Sequence, residues 1–465
     1  MSEPATQPRD KWGSRLGFVL AAAGSAIGLG NLWKFPFITW SNEGGAFVLV
    51  YLACITAVGL PIMMAEILVG RKTQKSPVGA LREVLGPAWS LVGGLGVLTG
   101  FVILSYYAVI AGWTLRYFAI CLQWSFRGFS ADQSTGGAFG AFAAQGGLQV
   151  LLSGLFMVGT MLVIYRGIGG GIERVARLLM PLLFGILVLL LGTALTMDGA
   201  GQALGFIFRP DFAKLGAAGT LEALGHAFFT LSLGMGAMIT YGSYLDQRES
   251  IVRSATIVVV LDTVIAIAAT VIMFSVIFSV PGMSESIGKS TVGMLFITLP
   301  QLFYTVVPFG VLLAPLFYLL VAFAALTSTI SLLEVVTSYF IDQRGMTRRG
   351  ATTLCGASIF AMTTLCALSF NGWAAVSTFE VFSGKPGVFA TLDHLASNWM
   401  LPVGGFFITL GVGWFMTAET TRRELVDEGT PRWFRFGVWR FFMRYVAPVA
   451  VAAIIIAVLY GKDFS

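Results

Sequence analysis

Charged residues are scarce in this chain of 465 amino acids. Asp, Glu, Lys and Arg together account for 11% of the residues, whereas an ordinary soluble protein has about 25%. So little charge could not cover a water-facing surface, which excludes a soluble globular enzyme. Hydrophobic residues make up 56% of the chain, with 38 Phe and 11 Trp, and this content excludes a disordered chain. The chain is therefore expected to lie largely in lipid.

Cysteine and histidine are also rare, with four and two residues respectively. The cysteines fall in or near apolar runs without paired spacing, so the sequence indicates neither a disulfide framework nor a metal cluster. It also lacks the Gly-x-Ser-x-Gly, His-Glu-x-x-His and paired aspartate motifs of hydrolases. We therefore predict that the protein is not an enzyme.

Long apolar runs are what the sequence has in abundance. A membrane helix needs about 20 apolar residues, and these runs lack the alternation that is typical of a β-barrel strand. We predict an all-α polytopic membrane protein with eleven spans. They lie at about residues 15–38, 45–69, 92–122, 148–165, 172–196, 219–245, 252–280, 302–341, 350–369, 396–417 and 443–461.

The basic residues indicate the orientation. Most of the 29 Lys and Arg residues fall at the N-terminus and in the loops on the same side of the predicted membrane. The positive-inside rule then predicts a cytoplasmic N-terminus and, after eleven spans, a C-terminus outside. Because the net charge of +6 is explained in this way, we expect the lipid bilayer as a partner and no nucleic acid.

Two spans are interrupted by glycine and small polar residues. Residues 24–31 read GSAIGLGN and residues 228–236 read FFTLSLGMG. A single Gly-x-Gly would more often indicate close helix packing, but unwound backbone at membrane depth must face a cavity or a ligand. The interruption occurs in the first span and again in the sixth. This recurrence predicts two five-helix halves with a binding site near the midplane.

These motifs resemble a known family. Gly24 to Pro36, preceded by Trp12 and by RLG at 15–17, is similar to the first helix of the neurotransmitter:sodium symporters, and FFTLSLGMGAMITYGSY at 228–244 is similar to their sixth. The resemblance covers about residues 9–460 and implies a bacterial amino-acid:sodium symporter with the leucine-transporter-type fold, a 5+5 inverted repeat with broken helices 1 and 6 plus an eleventh helix. The implied divisions are a cytoplasmic gate segment 1–14, repeats 15–196 and 219–417, and a cytoplasmic loop with the eleventh helix, 418–465.

The resemblance also implies a substrate site. The family holds the substrate carboxylate against the unwound part of helix 1, here Leu29 and Gly30, with a tyrosine hydroxyl that Tyr107 would supply. Gly28 stands where monoamine transporters carry Asp, so an α-amino acid is expected. Taken singly, Tyr107 also fits an interfacial aromatic and the other residues fit ordinary packing. The implied substrate set is Ala26, Leu29, Gly30, Ile103, Tyr107, Phe229, Thr230, Ser232, Met235, Ser328, Thr329 and Leu332.

Two sodium ions are implied as well, since sodium is a hard cation that prefers oxygen ligands. Asp262 lies inside an apolar span, where a lone carboxylate costs roughly 2.5–3.5 kcal/mol. The alternatives are a structural acid for Asp262 and hydrogen bonds within the helix for Thr327 and Ser328. The first ion would be bound by Ala26, Asn31, Thr230 and Asp262, and the second by Gly24, Ile27, Ala324, Thr327 and Ser328.

Family members often carry Asn where this chain has Asp262, Gln where it has His226, and in some bacterial members Glu where it has Ala266. We infer that Asp262 supplies the negative charge within the protein and that transport is independent of chloride. Glu66 is expected to accept hydrogen bonds from the unwound backbone of the sixth span. The spacing Gly171-x9-Pro181 resembles a family pattern that lets the fifth helix unwind.

Two charged pairs resemble gates. Lys34 with Asp393 would close the outer side, and Arg9 with Asp342, assisted by Trp12 and Tyr244, would close the inner side. Exposed ion pairs are individually weak, which suits elements that must open. The predicted function is sodium-coupled uptake of a hydrophobic or aromatic L-amino acid by alternating access, at the bacterial inner membrane, by a monomer or weak dimer. The alternative is an amino-acid-binding sensor or ligand-gated channel without accumulation.

Overall fold

The computed structural model describes residues 9–130, 135–280, 291–371 and 373–464, so residues 1–8 of the gate segment lie outside the described residues. Within these ranges the chain is helical and contains no strand. We label the membrane helices α1 to α11 in chain order. They are α1 (Arg15–Ala26 and Gly30–Ser41), α2 (Gly45–Thr73), α3 (Pro87–Arg127), α4 (Gly146–Tyr165), α5 (Ile168–Leu195), α6 (Ala217–Thr230 and Ala237–Gly242), α7 (Ile251–Phe278), α8 (Gly310–Arg344), α9 (Arg348–Leu368), α10 (Val388–Phe415) and α11 (Phe436–Leu459).

Both interrupted spans are broken in the structure. The two halves of α1 meet at an angle of 49°. In α6, residues 231–236 leave the helix, with positive φ angles at Ser232 (54°), Gly234 (80°) and Gly236 (77°). Glycine adopts such angles without the steric cost of a Cβ atom. In the described part of the chain, nine unbroken helices and the bent α1 are long and apolar enough to cross a membrane.

The start of the eighth span differs from the sequence prediction. Residues 302–305 belong to a separate short helix, Met294–Thr305, and α8 begins only at Gly310. Proline disfavours a helical conformation at the residue before it, and Pro308 stands between the two helices. Hydropathy could not detect this break because the intervening residues are themselves apolar. The tenth span also begins earlier than expected, at Val388 instead of 396, which places Asp393 inside α10.

The helices form two groups around the breaks. One group contains α3 packed along α8, with α4 and α9 against them, and the other contains α1 against α7 and α2 against both halves of α6. Close approach in the second group requires glycine, since a Cβ at Gly70 of α2 would lie 2.0 Å from the backbone oxygen of Ile239. The broken segments therefore lie at the boundary between the groups.

Candidate functional site: a buried cavity between two broken helices

The break in α1 exposes backbone groups that are held by side chains. The N–H of Leu29 donates to the hydroxyl of Tyr107 at 3.1 Å, and the N–H of Gly28 donates to Oδ1 of Asn31 at 3.1 Å. Tyr107 is 7% exposed, so it is packed inside the protein. The structure thus places Tyr107 beside the unwound segment.

The break in α6 is held in a similar way. The N–H of Gly234 donates to Oε1 of Glu66 at 2.7 Å, and Oγ of Ser232 donates to the carbonyl oxygen of Ser25 at 3.0 Å. Glu66 is fully buried. Its carboxylate therefore supplies an acceptor to backbone that lacks a helical partner, as the sequence predicted.

A cavity of about 380 Å³ lies between the two breaks. Gly28 leaves room beside Ser328 and Tyr107 that a larger residue would fill. A Cβ at this position would lie 2.6 Å from Oγ of Ser328 and 2.9 Å from the hydroxyl of Tyr107. The predicted substrate residues that line the cavity are Ala26, Leu29, Gly30, Ile103, Tyr107, Phe229, Thr230, Ser232, Met235, Ser328 and Leu332.

Thr329, which was predicted to bind the substrate, does not line the cavity. Two serines that were not predicted do line it. The hydroxyl of Thr329 contacts the hydroxyl of Thr160 at 2.9 Å, away from the cavity. Ser25 and Ser331 both line it, and Oγ of Ser25 donates to Oγ of Ser331 at 2.8 Å. The i, i+3 spacing of Ser328 and Ser331 on α8 puts both on one helix face, which was the signal that could have identified Ser331.

Oxygen atoms converge on Asp262 at one end of the cavity. Nδ2 of Asn31 donates to Oδ1 of Asp262 at 2.8 Å, and Oγ1 of Thr230 donates to the same oxygen at 3.0 Å. The hydroxyl of Tyr51 lies 3.4 Å from Oδ2. Asp262 is 0% exposed, and the partners that the described residues give it are all neutral. A buried carboxylate without a basic partner is costly, and a hard cation beside it would remove that cost.

A second group of oxygens joins α1 to α8. Oγ of Ser328 lies 3.4 Å from the carbonyl oxygen of Gly24, and Oγ1 of Thr327 donates to the carbonyl oxygen of Ala324 at 3.0 Å. A Cβ at Gly24 would lie 2.9 Å from Cβ of Thr327, so the helices touch here. The bond from Thr327 is the local one expected of a structural hydroxyl, yet the hydroxyl oxygen keeps its acceptor capacity. Ile27 begins the break, with its N–H bonded to the oxygen of Ala23 at 2.7 Å.

The predicted inner pair is formed. Nη1 of Arg9 and Oδ2 of Asp342 are 2.6 Å apart, with side chains 17% and 16% exposed. The guanidinium also stacks on the ring of Tyr244 at 4.7 Å. Trp12, 8% exposed, donates its indole N–H to the carbonyl oxygen of Tyr241 at 3.0 Å. These residues tie the segment before α1 to α6 and α8.

Beside this pair lies a buried network that the sequence analysis missed. The hydroxyl of Tyr244 donates to Oε1 of Glu334 at 2.6 Å, and Arg348 contacts Oε2 of the same carboxylate at 2.8 Å. Arg348 also reaches Asp10 at 3.1 Å. Tyr244 therefore bonds to Glu334, while its ring faces Arg9. About two turns of α8 separate Glu334 from the hydroxyls at 327 and 328, and no short motif marks the connection.

The predicted outer pair takes a different form. Nζ of Lys34 donates to the carbonyl oxygen of Phe464 at 2.5 Å and lies 5.2 Å from the ring centre of Phe229. Asp393 accepts a hydrogen bond from Ser397 at 3.1 Å. The partner of Lys34 was not predictable from α1 or α10, because it comes from the segment that follows α11.

His226 packs among aromatic rings beside Gly30 of α1. Its ring stacks on Phe35 at 5.4 Å and lies 5.7 Å from the ring of Tyr51. Neither ring nitrogen has a hydrogen-bond partner in the ranges that the structure describes. The ring thus packs as an aromatic group next to the residues that surround Asp262.

Two membrane helices broken around a buried cavity, with polar oxygen atoms at both breaks, define a secondary transporter of the leucine-transporter type. Known proteins agree with that class. A sequence profile of the sodium:neurotransmitter symporter family matches residues 9–132 and 139–462. The chain belongs to the sodium:neurotransmitter symporter family, whose members are transporters and not enzymes.

Similar proteins cover nearly the whole chain. The uncharacterized sodium-dependent transporter YhdH of Bacillus subtilis is 35% identical over 448 residues, which is 95% of this chain and 96% of that protein. An uncharacterized sodium-dependent transporter of Methanocaldococcus jannaschii is 29% identical over 467 residues, 96% of this chain and 90% of that one. The crystal structure of MhsT in complex with L-phenylalanine superimposes with a TM-score of 0.86 at 37% identity, over 97% of this chain and 100% of that chain. The multi-pass helical fold and sodium-dependent transport are therefore shared.

Proposed function

We propose that this protein takes up a hydrophobic or aromatic L-amino acid by sodium-coupled symport, with two sodium ions per cycle. The observation that carries the proposal is the cavity of about 380 Å³ between the broken helices, with apolar side chains and two unwound backbones around it. MhsT, which is similar over almost the full chain, was crystallised with L-phenylalanine. Phenylalanine is therefore the first candidate.

Thr230 connects the substrate site to the first sodium site. It lines the cavity and donates to Asp262 at 3.0 Å. The proposed ligands of the first ion are Ala26, Asn31, Thr230 and Asp262, together with the substrate carboxylate. Because the cargo completes the coordination shell of the ion, each stabilises the binding of the other. This mutual dependence is a coupling free energy between two sites and is reciprocal.

The second ion is proposed to lie between α1 and α8, at Gly24, Ile27, Ala324, Thr327 and Ser328. The two helices belong to different helix groups, so an ion between them would hold the groups together. Two sodium ions and a zwitterion carry two net charges inward. At about 2.3 kcal/mol per charge per 100 mV this is roughly 4.6 kcal/mol, or on the order of 10³-fold accumulation.

The Arg9 cluster is proposed as the inner gate and the Lys34 cluster as the outer gate, with the N-terminus in the cytoplasm of a bacterial cell. Both clusters are closed in this structure, and the cavity residue Tyr107 is 7% exposed. This geometry supports an occluded intermediate in alternating access. Intact contacts on both sides argue against a continuous pore.

The direct test is uptake of labelled phenylalanine into proteoliposomes with an inward sodium gradient. Asn31→Ala removes a side chain that contacts Asp262 at 2.8 Å, and we expect it to abolish sodium-dependent uptake. The matched control is Asn371→Ala, in the loop after α9, which should leave uptake unchanged. Sodium-dependent binding of phenylalanine without accumulation would instead favour the sensor or channel alternative.

Independence from chloride is part of the proposal and has its own test. Asp262 places a carboxylate beside Asn31 and Thr230, so no external anion is needed to balance a cation there. Replacing chloride by gluconate should leave uptake unchanged. Asp262→Asn removes the charge, and we expect lower uptake that responds to added chloride. A chloride requirement in the unaltered protein would contradict the proposal.

A further inference from the structure

The chain turns back towards the protein after α11. Gly461 has a φ angle of 87°. Its N–H donates to the carbonyl oxygen of Val458 at 2.9 Å, and the N–H of Lys462 donates to the carbonyl oxygen of Ala457 at 2.9 Å. This pair of bonds around a left-handed glycine is the Schellman motif, which ends a helix and redirects the chain. We call Gly461–Phe464 the strap.

Charged and polar side chains attach the strap to α10 and to Lys385 in the loop before it. The carboxylate of Asp463 forms an ion pair with Lys385 and lies 3.4 Å from Nδ1 of His394. Asn398 uses both ends of its amide, since Nδ2 donates to Asp463 at 2.9 Å and Oδ1 accepts the N–H of Phe464 at 2.7 Å. Such a two-point contact fixes the position of the last two described residues.

The other side of the strap contacts α1 and α6. The carbonyl oxygen of Phe464 accepts the ammonium of Lys34 at 2.5 Å, and Lys462 lies 3.8 Å from Glu222. The ring of Phe464 packs against Gly225, where a Cβ would lie 3.2 Å from Cδ1 of that ring. The strap therefore bridges α10 to α1 and α6.

Phe464 also lines a cavity next to the substrate cavity. It is 8% exposed and lines a second cavity of about 430 Å³ together with Lys34, His226 and Phe229. Phe229 lines the substrate cavity as well, so its ring separates the two. Phe464 and Phe229 therefore line one cavity that lies next to the substrate cavity.

We propose that the strap is a positioning element of the outer gate: Phe464 holds Lys34 in the closed arrangement and must withdraw before substrate can enter or leave. The neutral carbonyl oxygen of Phe464 bonds to Lys34, whereas the sequence prediction gave Lys34 the carboxylate of Asp393 as its partner. Because the strap bonds to α10 as well as to α1 and α6, moving these helices apart would break its contacts. The inference rests on the proposed function, since only a transporter requires this side to open.

The first test locks the strap in place. Gly225→Cys and Phe464→Cys are combined in a protein whose four native cysteines have been replaced, and are bridged by a short bifunctional thiol reagent. We expect the bridge to lower phenylalanine uptake at least about tenfold, because a protein that cannot open on this side cannot complete the transport cycle. If the reagent is cleavable, reduction should restore uptake. Each single cysteine variant treated in the same way is the control. Full uptake by the bridged protein would overturn the proposal.

The second test releases the strap without touching the substrate cavity. Asp463→Asn and Asn398→Ala weaken its attachment, and we expect both the association and the dissociation rate of phenylalanine to rise at least about threefold while Kd changes less than about twofold. A merely structural role would not accelerate both rates together. Unchanged rates in both variants would overturn the proposal.

A third measurement needs no substrate and therefore separates the strap from the proposed function. His226→Cys places a thiol in the cavity behind Phe464, and a membrane-impermeant maleimide reports its exposure. Adding Asp463→Asn should raise the labelling rate at least about fivefold, because the covered state is less populated. If labelling does rise while phenylalanine fails to bind with sodium, the proposed function is wrong and the strap is upheld. If binding is normal and labelling does not rise, the strap proposal fails alone.

Discussion

The two gates proposed here are closed by different chemistry. At the inner gate, Arg9 and Asp342 carry opposite formal charges, lie 2.6 Å apart and are 17% and 16% exposed. At the outer gate, the ammonium of Lys34 meets the neutral carbonyl of Phe464 at 2.5 Å and the ring of Phe229 at 5.2 Å. One gate is a direct ion pair, whereas the other depends on a separate segment of chain.

This difference in chemistry determines what is needed to open each gate. A half-buried ion pair resists separation because each partner left alone keeps an uncompensated charge. A carbonyl that withdraws leaves no charge of its own behind, and Lys34 is then available to water. The inner gate should therefore be sensitive to loss of either partner. The outer gate should be sensitive to whatever holds Phe464.

The largest effect is expected between the gates, at Gly28. In Gly28→Ala the new Cβ would lie 2.6 Å from Oγ of Ser328 and 2.9 Å from the hydroxyl of Tyr107. Overpacking of this kind costs about 1–3 kcal/mol, so Kd for phenylalanine should rise by about tenfold or more. Equilibrium binding of labelled phenylalanine in sodium measures this.

Gly147→Ala is the control for this substitution, since a Cβ at Gly147 meets nothing within 4 Å. If Gly28→Ala also left phenylalanine affinity intact, the cargo would not lie against the break of α1. The comparison of the gates would then lose its reference point, because the gates would no longer flank the substrate.

The next effect is at the inner gate. Arg9→Ala leaves Asp342 with the backbone N–H of Ser76 at 2.6 Å as a remaining partner, so the loss is smaller than for a fully orphaned charge. We expect about 1–2 kcal/mol in favour of the inward-open state and an uptake rate lower by about tenfold. Initial rates in proteoliposomes measure the effect.

Lys11→Ala is the matched control at the same gate. Lys11 lies 3.8 Å from Asp246, and the two side chains are 61% and 50% exposed. An exposed pair is worth about 0–1 kcal/mol, so uptake should change less than about twofold. Equal losses in Arg9→Ala and Lys11→Ala would show that the buried pair with Asp342 is not the element that closes this side.

The sequence predicted what is encoded locally. The two breaks follow from glycines and small polar residues inside otherwise apolar spans, and Asp262 stands out because a carboxylate is costly there. Tyr107 and Thr230 were assigned by the family resemblance. The short helix before α8 was not predictable, since hydropathy is continuous across Val306–Phe309 and only Pro308 hints at a break. Only the i, i+3 spacing from Ser328 marks Ser331 in the sequence, and Glu334 has no distinctive neighbours. They gain their roles from helix rotation and from Arg348, which only the packed structure brings to Glu334.

The partner of Lys34 shows the same limit most clearly. The family resemblance assigned Asp393 to it. The structure instead uses a main-chain oxygen, and every residue has one, so no sequence pattern could mark Phe464. What made Phe464 available is Gly461, whose left-handed conformation turns the chain.

The smallest effect is expected from a double-mutant cycle at the outer gate, and it tests the comparison directly. Asp393 bonds to Ser397 at 3.1 Å, while Lys34 bonds to Phe464. Lys34→Ala and Asp393→Ala should therefore be nearly additive in their effects on uptake, with a coupling below about 0.5 kcal/mol.

The same cycle with Arg9→Ala and Asp342→Ala should give a coupling of about 1–3 kcal/mol, as for residues in direct contact. A large coupling between Lys34 and Asp393 would mean that the two charges meet in another state of the cycle, after Phe464 has withdrawn. In that case the gates would be alike in the state that controls the rate, and the strap would act before the ion pair forms. A small coupling at both gates would instead mean that neither ion pair limits transport.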